Sequence, residues 1–158
     1  MRDSSQEFLK FQTKPSSAHA VIDLTSAYVP AAKQVVRGIA LVGGRRAVLV
    51  QDEFELDAPA DLTWAMTTDA EITLQGDRAL LKLKEKELIA HILSPMGAKF
   101  TVESAEQPPP QRTNRGVKRL LVHLPGKTGA VCVAVLLSPK WEKGGEVSQA
   151  DVKTLKNW

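Results

Sequence analysis

Cysteine is almost absent from this sequence of 158 residues. The single cysteine, Cys132, cannot form a disulfide within the chain, and no cysteine cluster indicates a zinc site. Cys132 lies in the apolar run VCVAVLL, which predicts a buried core thiol because free cysteine is among the most buried residue types. The cysteine content therefore argues against a disulfide scaffold and against a cysteine-ligated metal.

Recognisable catalytic and cofactor motifs are also absent. The sequence has no glycine-rich phosphate loop leading into a helix, and no GxSxG, HExxH or CxxC motif. Its three histidines, His19, His91 and His123, lie far apart, each in a predicted strand. We predict separate surface or rim histidines, and a metal site that joins two of them to Asp23 or Asp52 is the alternative. The sequence thus predicts no metal, no cofactor and no catalytic set.

Long apolar runs and strong charge are missing as well. No stretch approaches the roughly 20 apolar residues of a membrane helix. The start, MRDSSQEFLKFQTK, has no apolar segment of the kind that a signal peptide contains. Basic and acidic residues are interleaved, and the net charge is only +3. These features predict no membrane and no nucleic-acid partner, while a weak attraction to acidic polysaccharide stays open.

Residues 35–52 organise the rest of the chain. Two β-branched apolar runs flank Gly43-Gly44, with Arg45 and Arg46 beside the turn. Paired glycines supply the positive φ angles that a tight hairpin turn requires. The stretch therefore predicts a β-hairpin, and Gly38 inside its first strand indicates a bulge or a close neighbour.

Strand-like runs separated by turn signals continue to residue 138. One of them, 87–93, also suits a helix by periodicity, but the turn spacing favours a strand. Residues 58–60 predict a break, residues 125–129 a turn, and the proline-rich stretch 107–115 a surface loop. No alternation of strands with helices appears. The sequence predicts an all-β fold, an antiparallel two-sheet β-sandwich of roughly ten strands.

Composition divides the chain into three parts. Residues 1–16 predict a lead-in that is either disordered or a strand remnant at 7–11. Residues 17–139 predict the β-sandwich domain, and the length fits one domain. Residues 140–158 predict a C-terminal tail that packs on the sandwich, with a short strand or helical turn near 151–155.

Five side chains are candidates for carbohydrate binding. Trp64 is flanked by apolar residues in a predicted strand, so it is either a core residue or a stacking platform for a sugar ring. Arginines in turns and loops bind carboxylate or sulfate groups in bidentate fashion. The four arginines in such positions are Arg45, Arg46, Arg112 and Arg115. Ordinary solvated loop charge is the alternative for all four.

Residues in and around the hairpin resemble a known family. In order, they are Asp23-Leu24-Thr25, Tyr28, Ala32, Arg37, Val50 and Asp52. Later matches are Trp64 with Met66 and Thr67, then Leu93-Ser94-Pro95, then the run 131–139. In this order and spacing they resemble the C-terminal β-sandwich region of heparinase II/III-like polysaccharide lyases, over residues 23–139.

The resemblance implies a role as part of a larger enzyme. Members of that family join a helical toroid to β-sandwich domains and cleave acidic polysaccharide by β-elimination. Their catalytic tyrosine and histidine lie mainly upstream of the matched region, and Met66 stands where the family often has histidine. The resemblance therefore implies a non-catalytic portion that supports the toroid and contacts substrate. It also implies the toroid domain and an acidic polysaccharide as partners, and a periplasmic or secreted location.

Two other functions stay open at this point. One is an independent carbohydrate-binding module, which requires an exposed ring at Trp64 or Trp141. The other is a protein-interaction sandwich with no connection to sugars. A large exposed apolar face on the folded chain would favour part of a larger protein. The sequence itself specifies neither the polysaccharide nor the oligomeric state.

Overall fold

The computed structural model describes residues 7–158, and they form an all-β fold. In chain order the strands are β1 (Glu7–Lys14), β2 (Ser17–Asp23), β3 (Gln34–Val42), β4 (Ala47–Thr68), β5 (Glu71–Gln75), β6 (Arg78–Leu83), β7 (Lys86–Ser94), β8 (Phe100–Ser104) and β9 (Lys118–Pro139). Helical structure in this part of the chain is limited to α1 (Thr25–Tyr28) and a 3-10 turn at Leu155–Asn157. The all-β prediction is confirmed, including a strand where 87–93 also suited a helix.

All nine described strands belong to one antiparallel sheet. The order is β1-β2-β3-β4-β9-β7-β6-β5, and β8 pairs with β9 alone. The predicted hairpin is formed by β3 and β4, whose turn contains Gly43 and Gly44 at φ angles of 59° and 68°. Because these angles favour glycine, the local sequence determines the turn and with it the register of the two strands.

Two very long strands replace four of the predicted ones. β4 and β9 each contain 22 residues and pair with each other along their length. The predicted break at 58–60 and turn at 125–129 are wrong, since both stretches are register irregularities inside this pair. Pro59, which has no N–H to donate, falls in the unpaired part of the irregularity, and Gly126 and Gly129 take positive φ angles opposite it.

The irregularity divides the sheet into two layers that pack on each other. One layer contains β8, residues 60–68 of β4 and residues 118–127 of β9. It covers one face of β6, β7 and the second half of β9. The main core contains residues of both layers: Trp64, Phe100, Leu120 and Val122 from one, and Ala79, Ala90, Ile92, Val133 and Val135 from the other. The sandwich therefore consists of one continuous sheet folded over itself, in place of two separate sheets.

Residues 140–158 lie across the opposite face of the sheet. Leu155 is 2% exposed and packs with Val21 and Val36. A Cβ atom built on Gly38 would overlap Leu155 Cδ2 and lie 2.9 Å from Trp158 Cζ3, so a larger residue at position 38 must displace the end of the chain. Gly38 stays in regular register with Gln51, which makes it a close-contact glycine and not a bulge.

Polar groups of β4 fasten this C-terminal segment. The buried Gln51 amide donates to the Lys153 carbonyl over 2.7 Å, and the Glu53 carboxylate accepts from the Leu155 backbone N–H over 2.8 Å.

Cys132 packs near the same face but is only half-buried, and burial raises the pKa of its thiol. Within residues 7–158 no helix has the length and apolar character needed to cross a membrane.

Candidate functional site

Trp64 lies in the core between the two layers. It is 7% exposed, and its ring centroid lies 6.4 Å from that of Phe100. A stacking platform for sugar needs an open ring face, and Trp64 does not offer one. Trp141 is 44% exposed, with its indole N–H donated to the Arg46 carbonyl over 2.8 Å.

Arg45 and Arg46 both bind other segments of the chain. Arg45 donates to the Thr13 hydroxyl over 2.8 Å and to the Lys14 carbonyl over 2.7 Å, so it fastens the turn between β1 and β2. Arg46 donates to the Gly145 carbonyl over 2.7 Å and fastens the C-terminal segment. Their guanidinium groups therefore have structural partners within the fold.

Arg112 and Arg115 lie exposed in the loop between β8 and β9. This loop enters β9 at Lys118, whereas the turn with Arg45 and Arg46 lies beside the other end of β9. The four candidate arginines are therefore distributed between the two ends of one long strand.

The three histidines have separate surroundings. The His19 ring contacts the Trp158 ring at a centroid distance of 5.9 Å. His91 Nε2 lies 3.6 Å from an Asp77 carboxylate oxygen, and His123 Nδ1 lies 3.1 Å from the Thr63 hydroxyl. Over the described part of the chain, no three His, Cys, Asp or Glu side chains are grouped closely enough to hold a metal ion.

A pocket of about 390 Å³ opens at the end of the sandwich between the two layers. Its walls come from α1 and the segment after it, from β3, and from β4 on both sides of the register irregularity. The side chains that give it chemical character are Tyr28, Arg37, Asp52, Phe54, Asp61 and Trp64. Apolar walls with a few convergent polar groups are typical of a binding pocket for a small molecule.

The centre of this pocket is an ion pair between Arg37 and Asp52. Arg37 Nε donates to Asp52 Oδ1 over 2.6 Å, and Arg37 NH2 donates to Asp52 Oδ2 over 2.8 Å. The Asp52 side chain is 4% exposed, while that of Arg37 is 38% exposed. Hydrogen bonding to Asp52 raises the pKa of the Arg37 guanidinium above its usual range, so the arginine remains charged.

Tyr28 is placed beside this ion pair by hydrogen bonds at the start of α1. The Asp23 carboxylate accepts from the Thr25 backbone N–H over 2.8 Å, and bonding to Thr25 lowers the pKa of Asp23. The Thr25 hydroxyl accepts from the Val35 backbone N–H over 3.0 Å, which ties the helix to β3. Tyr28 therefore occupies a defined position at the rim, where it is 44% exposed.

The sequence contains a local signal for this ion pair, although not for the pocket around it. Arg37 and Asp52 are equally distant from the hairpin turn, and they are direct cross-strand partners. Opposite charges at such positions predict a contact once the turn is known. Both residues belong to the family resemblance, but nothing local indicated a pocket around them.

The comparisons with known proteins concern the fold. No protein-family model and no curated protein matches the sequence. Among solved structures, a heparan sulfate lyase HepC mutant from Pedobacter heparinus is similar over 92% of this chain, with a TM-score of 0.70 and 14% identity. The heparinase III BT4657 gene product is similar over 87%, with a TM-score of 0.66 and 13% identity. A further heparinase III structure is similar over 85%, with a TM-score of 0.66 and 9% identity.

The chain spans only 21–22% of the length of these lyase chains. The same fold also makes up a large part of a shorter protein, HI1317, where 65% of that chain is covered with a TM-score of 0.58 and 6% identity. At these identities the similarity shows a shared fold and nothing further. The structure thus defines an all-β module of the kind found within heparinase III structures.

Proposed function

We propose that this chain is the non-catalytic β-sandwich portion of a heparinase II/III-like polysaccharide lyase. The parent enzyme would cleave acidic polysaccharide by β-elimination, in the periplasm or outside the cell, and this portion would support its catalytic toroid. The observation that carries the proposal is the similarity of 92% of the chain to 22% of a heparan sulfate lyase. The residues from Asp23 to Asp52, which resemble the family in order and spacing, support it independently.

An exposed apolar face supports a role beside another domain. Phe8, Phe11 and Ile39 are 69%, 73% and 40% exposed. Phe11 pairs with Ala20, which pairs with Ile39, so these side chains lie on one face of β1, β2 and β3. We call this surface the β1–β3 face. Contiguous exposed apolar residues are typical of an interaction surface, and the toroid of the same enzyme is the partner that the proposal supplies.

The β1–β3 face yields the first prediction. Replacing both Phe8 and Phe11 with serine should strongly reduce the fluorescence of a hydrophobic dye bound to the protein, because their rings provide the exposed apolar surface. The free energy of unfolding should change by no more than about 0.5 kcal/mol per residue, since neither ring is buried in this chain. Dye fluorescence and urea unfolding measure the two effects.

The control for this pair is Met96→Ser, because Met96 is 100% exposed and lies outside the β1–β3 face. It should leave dye binding unchanged. If the double serine variant bound as much dye as the unaltered protein, or unfolded several kcal/mol more easily, the face would not be a surface available to a partner.

The proposal predicts that the chain alone has no lyase activity. β-Elimination needs a base for the C5 proton and an acid for the leaving oxygen. The single tyrosine lies beside Arg37, and the three histidines contact Trp158, Asp77 and Thr63. Incubating the purified chain with heparan sulfate, heparin and alginate should therefore produce no absorbance from unsaturated uronides. A complete heparinase in the same buffer is the positive control, and activity that scales with the concentration of the chain would contradict the non-catalytic role.

An independent binding module is the second candidate function. The specific observation in its favour is HI1317, in which the same fold occupies 65% of a shorter chain. The reading frame that precedes Met1 distinguishes the two functions, because the lyase proposal requires it to encode a helical toroid. A frame that starts at Met1 would favour the independent module.

A further inference from the structure

We propose that the pocket at Tyr28, Arg37 and Asp52 binds a neutral sugar ring through its hydroxyl groups. We call it the Arg37 pocket, with the lining described above. The inference goes beyond the proposed function, which gives this portion a supporting role and assigns it no ligand site. It applies whether the chain is part of a lyase or an independent module.

The shape and lining of the Arg37 pocket suit one ring-sized ligand. Its volume of about 390 Å³ lies within the range of about 300–1,000 Å³ that small-molecule sites occupy. Phe54, Leu62 and Val133 supply apolar walls, and Tyr28 stands at the rim. A sugar ring has apolar C–H faces and a polar edge, so it can bury the faces against these walls while its hydroxyl groups meet Arg37 and Tyr28.

Arg37 is held ready to donate to such a ligand. Its Nε and NH2 atoms are occupied by Asp52, which leaves NH1 as the nitrogen that Asp52 does not bind. Because the bidentate pair fixes the guanidinium plane, little side-chain entropy remains to be lost on binding. The Tyr28 hydroxyl can both donate and accept, so the two side chains together offer donors and an acceptor to hydroxyl groups of a ligand.

The charges of the pocket favour a neutral ring over a uronate. Among the described residues that line it, Arg37 is the one cation, while Asp52 and Asp61 are two anions. Asp52 neutralises Arg37 directly, and Asp61 accepts from the Gly126 backbone N–H over 2.7 Å. A carboxylate or sulfate on the ligand would therefore meet an excess of negative charge in a partly desolvated site.

The test uses the fact that Tyr28 is the only tyrosine in the sequence. Incorporating fluorotyrosine gives a protein with one fluorine signal, located at the rim of the pocket. Neutral cello-, malto- and chito-oligosaccharides and, in parallel, oligouronates from alginate and pectin are titrated against it. We expect a saturable shift of the signal with at least one neutral series, and at least tenfold weaker binding of the oligouronates.

Two variants test the pocket by calorimetry with the neutral ligand that binds. Tyr28→Phe removes one hydroxyl from an exposed position and should weaken binding about fivefold, the value of one hydrogen bond. Ala31→Leu adds bulk to the pocket lining and should abolish binding. Met96→Ser is the matched control and should bind as the unaltered protein does. Circular dichroism establishes that each variant is folded.

Three results would overturn the inference. They are the absence of a shift with every neutral series, oligouronate binding as tight as neutral binding, and saccharide binding that survives both Tyr28→Phe and Ala31→Leu. None of these results bears on the lyase proposal, which is decided by the upstream reading frame and the activity assay. Failure of one proposal can therefore be distinguished from failure of the other.

Discussion

Trp64→Ala is expected to lower the free energy of unfolding by about 3–5 kcal/mol, the cost of removing a buried tryptophan from a core. The ring is 7% exposed and belongs to the cluster that joins the two layers of the folded sheet. Its removal leaves a cavity next to Val122, its partner on β9, and the Phe100 ring, and a sheet held by long strands cannot close this cavity completely. Since single domains have only about 5–15 kcal/mol of stability, this loss is a large fraction of the total.

Urea unfolding followed by circular dichroism measures this effect, because the substitution also changes the tryptophan fluorescence. The control is Trp141→Ala, which removes a ring that is 44% exposed and one hydrogen bond to the Arg46 carbonyl. That variant should lose only about 0.5–1.5 kcal/mol. Equal losses at the two positions would mean that Trp64 is not part of a packed core between the layers.

The hairpin could be predicted because its determinants are local. Gly43 and Gly44 permit the positive φ angles of the turn, and the β-branched runs beside them favour strands. Once the turn is placed, strand pairing follows by counting outward from it, and Arg37 comes opposite Asp52. The presence of most strands and the all-β fold class could be predicted for the same reason.

The continuity of β4 and β9 was not accessible from local sequence. Proline and glycine mark a chain reversal and a bulge equally well, so Pro59, Gly126 and Gly129 do not distinguish the two. The difference arises from pairing between residues 60–68 and 118–127, which are distant in sequence. A prediction made one segment at a time therefore counts four strands where the structure has two.

The candidate site was missed for a related reason. Arg45 and Arg46 have the composition of a cationic surface, but segments about thirty and one hundred residues away accept their hydrogen bonds. The Arg37 pocket, in turn, requires α1, the hairpin and the far half of β4 to meet. The sequence contained the residues of the site. Whether an arginine is free to bind a ligand or already donates to another segment depends on tertiary contacts, which local sequence does not reveal.

Arg37→Gln is expected to lower the free energy of unfolding by about 3 kcal/mol. The substitution removes the bidentate partner of the Asp52 carboxylate, whose side chain is only 4% exposed in the unaltered protein. Breaking a buried ion pair typically costs about 3–5 kcal/mol, and the lower end applies because Arg37 is 38% exposed and water can reach its position. The control, Arg119→Gln, removes an ion pair with Glu103 in which both side chains are about half exposed, and should cost no more than about 1 kcal/mol. Equal costs in urea unfolding would contradict the view of Asp52 as a buried charge that depends on Arg37.

The double variant Arg37→Met/Asp52→Leu separates stability from binding. Replacing both charges with apolar residues of similar size removes the unpaired carboxylate together with its partner, so stability should return to within about 1 kcal/mol of the original protein. The same double variant should lose the neutral-sugar binding proposed for the Arg37 pocket, because the fixed guanidinium donor is gone. Recovery of stability with loss of binding would show that the ion pair serves recognition. Recovery of stability with binding retained would contradict the role of Arg37 as the donor that recognises the ligand.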